Sequence, residues 1–200
     1  IREEILMSKE DWYVLQTFND QEYEAASLMD IAVSKSFYSL CCVPKKLKVF
    51  RIGGELRLVE EIMFPGYLFV RTSCPKELCE ELRKSRELPG FLPFGRDEKG
   101  EEILIPVNRK DLDFLQHVCG ERLQFPMGIT KIILGENRQI LKAHGALEQY
   151  MDRIVRLNLH KRFAVAKIPL FHRSQTVLFG ICLEQDRCVL ARSEVGKYTA

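Results

Sequence analysis

Ile62-Met63-Phe64-Pro65-Gly66-Tyr67-Leu68-Phe69-Val70-Arg71 is the stretch whose reading decides the fold of this chain. Pro65 has no N–H and marks a strand start or an edge, while Gly66 admits a positive φ or the close approach of another backbone. The four residues after Gly66 are strand formers, closed by Ser73-Cys74-Pro75, and they fit the central strand of a sheet. Such a strand can hold exposed aromatic rings rigidly. A core strand with an ordinary bend would have the same composition, so the decision rests on what else the chain sets beside it.

Before that strand, Asp11 to Phe18 is rich in aromatic and β-branched residues and predicts a first strand. Asn19 followed by Glu22 has the spacing of a capping box, and Ala25, Leu28, Met29 and Ala32 give the helix after it one apolar face. Residues 37–43 predict a second strand. Residues 45–57 then alternate basic and apolar types up to Gly53-Gly54, which predicts a projecting β-hairpin with a basic face. A solvated hairpin without a ligand fits that pattern equally.

After the central strand, Pro75 opens a helix through Leu78, Cys79 and Leu82 that Leu88-Pro89 should stop. Residues 90–95 predict a short fourth strand, and Asn108 caps a last helix that Gly120 ends. The order β-α-β-β-α-β is a split βαβ arrangement: an α+β domain over residues 11–120, an antiparallel sheet with flanking helices. Residues 121–130, with Pro126 and Gly128, read as a linker. Short strand-like runs at 138–143, 153–157, 163–170 and 176–183, with a turn at His172-Arg173-Ser174, then predict a small all-β barrel over residues 131–185. Residues 186–200 form a tail without periodicity.

Composition sets limits on function. The 200 residues are 46% hydrophobic, enough for one sizeable core or two small ones. No run approaches the roughly 20 apolar residues of a membrane helix, and residues 1–7 are too short and acidic for a signal peptide, so a soluble cytoplasmic protein is expected. Seven cysteines without a C-x-x-C pair read as reduced packing residues. The four histidines are scattered, and neither a metal site nor a cofactor is expected. No nucleophile–base spacing or phosphate-binding glycine loop suggests an enzyme.

Charge is divided unevenly. Residues 1–120 carry 17 Lys/Arg against 21 Asp/Glu, whereas residues 121–200 carry 13 against 7. From Arg153 to Leu183 there are six basic residues and no acid, a local field suited to phosphate.

Taken in order, Trp12-Tyr13-Val14-Leu15, Phe64-Pro65-Gly66-Tyr67-Leu68-Phe69-Val70 and Pro89-Gly90-Phe91 resemble the NGN domain of NusG-type transcription elongation factors. Gly145-Ala146-Leu147 and the run from Leu159 to Phe171 resemble its KOW domain, an SH3-like barrel. Together these segments span nearly all of residues 11–185. Within the family the likeness is nearest to LoaP-type specialised antiterminators, through His160-Lys161-Arg162 and the Leu170-Phe171 close. Asp152 stands where the KOW pattern usually has a second glycine, a position whose turn Asp can serve in a left-handed conformation.

The resemblance implies docking of the first domain on the clamp helices of the largest RNA polymerase subunit, through Phe64, Pro65, Gly66, Tyr67 and Phe94, with Trp12 next. It implies a monomer that promotes processive elongation and antitermination. Nucleic acid is the second expected partner, a nascent RNA hairpin and non-template DNA. The residues for it are Lys45, Lys46, Lys48 and Arg51 on the hairpin, Arg83, Lys84 and Arg86 at a helix end, and Arg153, Arg156, His160, Lys161 and Arg162 on the barrel. A general NusG whose KOW domain meets Rho or a ribosomal protein, and a free-standing RNA-binding protein, are the alternatives.

Overall fold

The structure is a computed structural model, and it describes residues 9–186; Cys188 and all but the first residue of the expected tail lie outside that range. By compactness the described residues divide into those up to 43 with 65–113, and 44–64 with those from 114 on. Among the described residues no helix is long and apolar enough to cross a membrane.

The first unit is α+β. Strands β1 (Asp11–Gln16), β2 (Leu40–Cys42), β5 (Tyr67–Thr72) and β6 (Gly90–Phe91) form an antiparallel sheet in the order β2-β5-β1-β6. The expected central strand is central: β5 pairs with β1 from Asp11↔Thr72 to Gln16↔Tyr67 and with β2 on its other side. Leu68, Phe69 and Val70 are accordingly buried completely, together with Leu15. Helix α1 (Glu22–Ala32) contacts β2 and β5, and α2 (Pro75–Leu82) contacts β6. Pro75 opens α2 as predicted. That helix ends well before Pro89, because Arg83 to Arg86 are all exposed and give a further turn nothing apolar to bury.

The capping box at Asn19 does not form. Helix α1 starts after Gln21, which makes no side-chain capping bond. Glu22 is buried, and its Oε1 accepts the backbone N–H of Gly66 at 2.5 Å. The carboxylate thus holds the Pro65-Gly66 turn, and its place in the first helical turn suits the dipole. Gly66 has φ +82°, which favours glycine, and a Cβ there would lie 2.9 Å from Asn19 Oδ1, so a larger residue would also have to displace that side chain. The Asn108 cap does form: its Oδ1 accepts the Asp111 N–H at 2.9 Å at the head of α3 (Arg109–Cys119).

The second unit is all-β apart from short helical pieces. Strands β7 (Thr130–Leu134), β8 (Ile140–His144), β9 (Ile154–Asn158), β10 (Phe163–Leu170) and β11 (Arg173–Cys182) form one sheet in the order β8-β7-β11-β10-β9. Its core is Phe163, Ala164, Ala166, Ile168, Val177, Phe179 and Ile181. Asp152 lies inside a 3-10 helix over Glu148–Arg153 without a positive φ, so it does not replace the family glycine through a left-handed turn. The turn between β10 and β11 is Phe171-His172, both with positive φ, and Arg173 and Ser174 belong to β11.

The hairpin of β3 (Lys45–Ile52) and β4 (Glu55–Ile62) turns at Gly53-Gly54 as expected; residues 50–55 at its tip are exposed, but its base is packed rather than free. It belongs to the second unit, where Val49, Leu56 and Leu58 pack with Cys182 and Ile129. Residues 121–130, read as a linker, help to seat it: Leu47 N–H donates to the Met127 carbonyl and Met127 N–H to that of Lys45, each at 2.8 Å. The cysteines that line these interiors are poor nucleophiles, since burial pushes Cys119 up to about 12 and Cys182 up to about 11.

Gly180 on β11 makes the seating possible. A Cβ at this position would lie 2.5 Å from the Leu47 carbonyl oxygen and 2.4 Å from Ile129 Cδ1. Gly180→Ala should therefore cost about 1–3 kcal/mol, the usual range for overpacking, read as a lower urea midpoint; an unchanged midpoint would show that the hairpin can back away without loss.

Candidate functional site

The residues expected to dock on polymerase are not one exposed patch. Pro65 is exposed and Tyr67 and Phe94 are half-buried, whereas Gly66 is buried in its turn. Trp12 is 4% exposed, on the β1 strand that pairs with β5, and is core. Phe64 is also 4% exposed. Its ring meets that of Phe171 edge to face, with centroids 5.3 Å apart at 81°. Phe64 and Trp12 are thus corrected from surface anchors to buried rings, and the accessible members are Pro65, Tyr67 and Phe94.

The hairpin cations are largely matched by acids across the strand pair. Lys45 meets Glu60 and Lys48 meets Glu61, each at 3.1 Å. Lys46 is buried, donates to the Ile62 carbonyl at 2.6 Å and lies 3.8 Å from Glu61. Burial pushes its ammonium below the ordinary lysine range, with Glu61 opposing and Lys48 adding. Lys46 is therefore structural and leaves the nucleic-acid set. Arg51 is exposed and donates to the Gly54 carbonyl. In the first unit, Arg83 pairs with Glu102 and Lys84 with Glu81, while Arg86 is exposed.

On the second unit, Arg153, Arg156, His160 and Lys161 are exposed, and among the described residues none of them forms an ion pair. Arg153 immediately precedes β9, Arg156 lies within it, and His160 and Lys161 sit in the turn into β10. The Arg156 guanidinium lies over the Phe163 ring at 5.5 Å, which fixes the side chain without neutralising it.

Arg162 is different. It is buried with φ +54°, and its Nε and Nη2 bind Asp186 Oδ2 and Oδ1 at 2.6 and 2.9 Å, while Nη1 donates to the Leu159 carbonyl. The guanidinium is committed to Asp186 and the Leu159 carbonyl, so Arg162 too is corrected from ligand contact to internal tie. Burial alone would push the Asp186 carboxyl up. Hydrogen bonds from Arg162 and the Leu183 N–H, with the charges of Arg162 and Arg51, outweigh it and bring the group below its usual range. Asp186 was invisible in the sequence because it falls in the stretch without periodicity. The one signal was Arg162 itself, flanked by the strongly apolar Phe163-Ala164-Val165.

One unit is thus α+β, with a proline-glycine turn at the head of its central strand, and the other is largely β, with four exposed basic residues that form no ion pair among the described residues. The family model described as "Transcription termination factor nusG" matches residues 10–116, and the chain belongs to the NusG family. It is 26% identical over 160 residues to the transcription termination/antitermination protein NusG of Treponema pallidum, covering 73% of this chain and 85% of that one. The NusG protein of Thermus thermophilus is 19% identical over 177 residues, covering 84% and 93%. A solved structure described as domain interaction in Thermotoga maritima NusG is 18% identical and covers 86% of this chain and 94% of that chain, with a TM-score of 0.43.

The Arg162–Asp186 tie has a pH signature. Because the folded-state value of Asp186 is depressed, its contribution is full above the unfolded value of about 3.9 and disappears as pH falls through the folded one. Asp186→Asn should cost about 3–5 kcal/mol near neutral pH by leaving a buried cation unpaired. Urea melts across pH should show the gap between wild type and variant closing in acid; a gap independent of pH would contradict the assignment.

Proposed function

We propose that this chain is a NusG-type factor that binds RNA polymerase through the α+β unit and RNA through the β unit, promoting processive elongation and antitermination. Membership of a family of transcription termination and antitermination factors supports the first half. The observation that carries the second is the set Arg153, Arg156, His160 and Lys161, exposed and without an acidic partner among the described residues. Unneutralised cations on a rigid strand and its turn attract phosphate over several ångströms and release counterions on contact. The hairpin lysines, each facing a glutamate, would contribute far less.

Pro65, Tyr67 and Phe94 are the accessible apolar residues of the polymerase contact, with the clamp helices of the largest subunit as its counterpart. Aromatic rings beside a proline bury area at little entropic cost. The effect on transcription is a shift in the populations of polymerase states and requires no catalytic residue. The specialised, RNA-directed antiterminator type is the reading within the family that a cationic barrel favours.

Two variants separate the contacts. Tyr67→Ala with Phe94→Ala should abolish capture of core RNA polymerase while a labelled stem-loop RNA still binds. Arg153→Ala with Arg156→Ala should leave polymerase capture intact, weaken the RNA complex and lower the slope of log K against log salt by about one for each lost contact. Parallel loss of both partners in either variant, or an unchanged salt slope, would overturn the assignment.

A further inference from the structure

The seated hairpin and the turn into β10 border a half-open cavity of about 500 Å³. Its rim carries Lys48, Arg51, His160 and Lys161, and aromatic side chains from both sides line it, Phe50 and Phe163. Among the described residues no carboxylate lines it, and Asp186 is bound to Arg162. The cavity therefore combines positive charge with aromatic surface, and its size lies within the range of about 300–1,000 Å³ usual for small-ligand sites.

We propose that this cavity seats one unpaired nucleotide of an RNA loop, its base stacked on Phe50 and its phosphates met by Arg51, His160 and Lys161. The proposal rests on the reading of the barrel as an RNA-binding module and adds the part of the RNA that is recognised. Phe50 is the key residue. It is 38% exposed although it lies beside the buried Val49, and Lys48 Nζ stands 4.5 Å from its ring centroid, holding the ring in place. Lys48 also meets Glu61, so the phosphate role falls to the other three basic residues.

The occupant follows from what each kind of ligand would leave unused. A free phosphate would satisfy the cations and leave the Phe50 face and the apolar floor of Val49, Leu56 and Leu178 empty. An acidic peptide brings a flat ring beside its charge only where it happens to carry an aromatic residue there. A base within a duplex is already stacked on its neighbours and cannot enter. A loop nucleotide offers both a π face and a phosphate on each side, the combination that single-strand readers use.

The test uses the full chain and two labelled RNAs of the same stem, one closed by a single-stranded loop and one a blunt duplex. Phe50→Ala should weaken the stem-loop complex by about tenfold or more and leave the duplex complex unchanged, whereas Phe50→Tyr should retain wild-type affinity for both. Phe50→Leu, which keeps apolar bulk and loses the π face, should behave as Phe50→Ala with an unchanged thermal midpoint, so the result does not depend on the alanine variant folding well. Lys161→Ala should weaken both complexes. If Phe50→Leu leaves stem-loop affinity intact, or reduces both complexes equally, while Lys161→Ala still weakens both, the pocket is rejected and the RNA reading stands. Failure of the wild-type chain to bind either RNA removes that reading, and the pocket with it.

Discussion

Residue 180 has no side chain, and the second unit is arranged around that absence. Because β11 can press its backbone onto that of β3, the hairpin is drawn in against the five-stranded sheet. The Leu47–Met127 and Met127–Lys45 hydrogen bonds then complete the edge of β3, and Val49 finds an apolar bed with Cys182 and Ile129. The same contact decides which hairpin residues face inward. It brings Phe50 and Arg51 opposite the turn that carries His160 and Lys161, so one close backbone approach sets both the packing and the cationic cavity.

Charge in this chain is sorted by burial. Arg162 and Lys46 are drawn inside, where a cation survives only with partners, and each has them: a bidentate carboxylate for the arginine, a carbonyl with Glu61 behind it for the lysine. Arg153, Arg156 and Lys161 remain exposed and, among the described residues, form no ion pair, so their charge acts on a phosphate with less offset than that of the paired cations. A count of basic residues along the sequence treats both kinds alike, although neighbours in the chain, Lys161 and Arg162, fall on opposite sides of the division.

Local chemistry made much of the fold legible. Pro65-Gly66 and the four strand formers after it placed the central strand, Gly53-Gly54 placed the hairpin turn, and Asn108 placed the head of the last helix. What could not be read were contacts between residues far apart in sequence. Glu22 looked like half of a capping box, but a buried N–H at Gly66 competes for its carboxylate and wins. Phe64 looked like a surface anchor because nothing nearby reveals that Phe171 covers it. Strand β7 was hidden by the glycine and proline just before it, although Thr130 to Leu134 is itself rich in β-branched residues. For the candidate site, the exposed barrel cations could be anticipated from the acid-free stretch, while the cavity beside Phe50 could not, since it exists only once the hairpin is seated.

The single tryptophan of the chain, Trp12, is sealed within the first unit, and the second unit has none. Indole emission therefore watches one module and is blind to the other, whereas far-ultraviolet dichroism sees the backbone of both. A divergence between the two optical signals during denaturation would resolve the modules as separately melting bodies, and coincidence would mark them as one cooperative body. The native protein thus carries its own module-specific optical label, without any added dye.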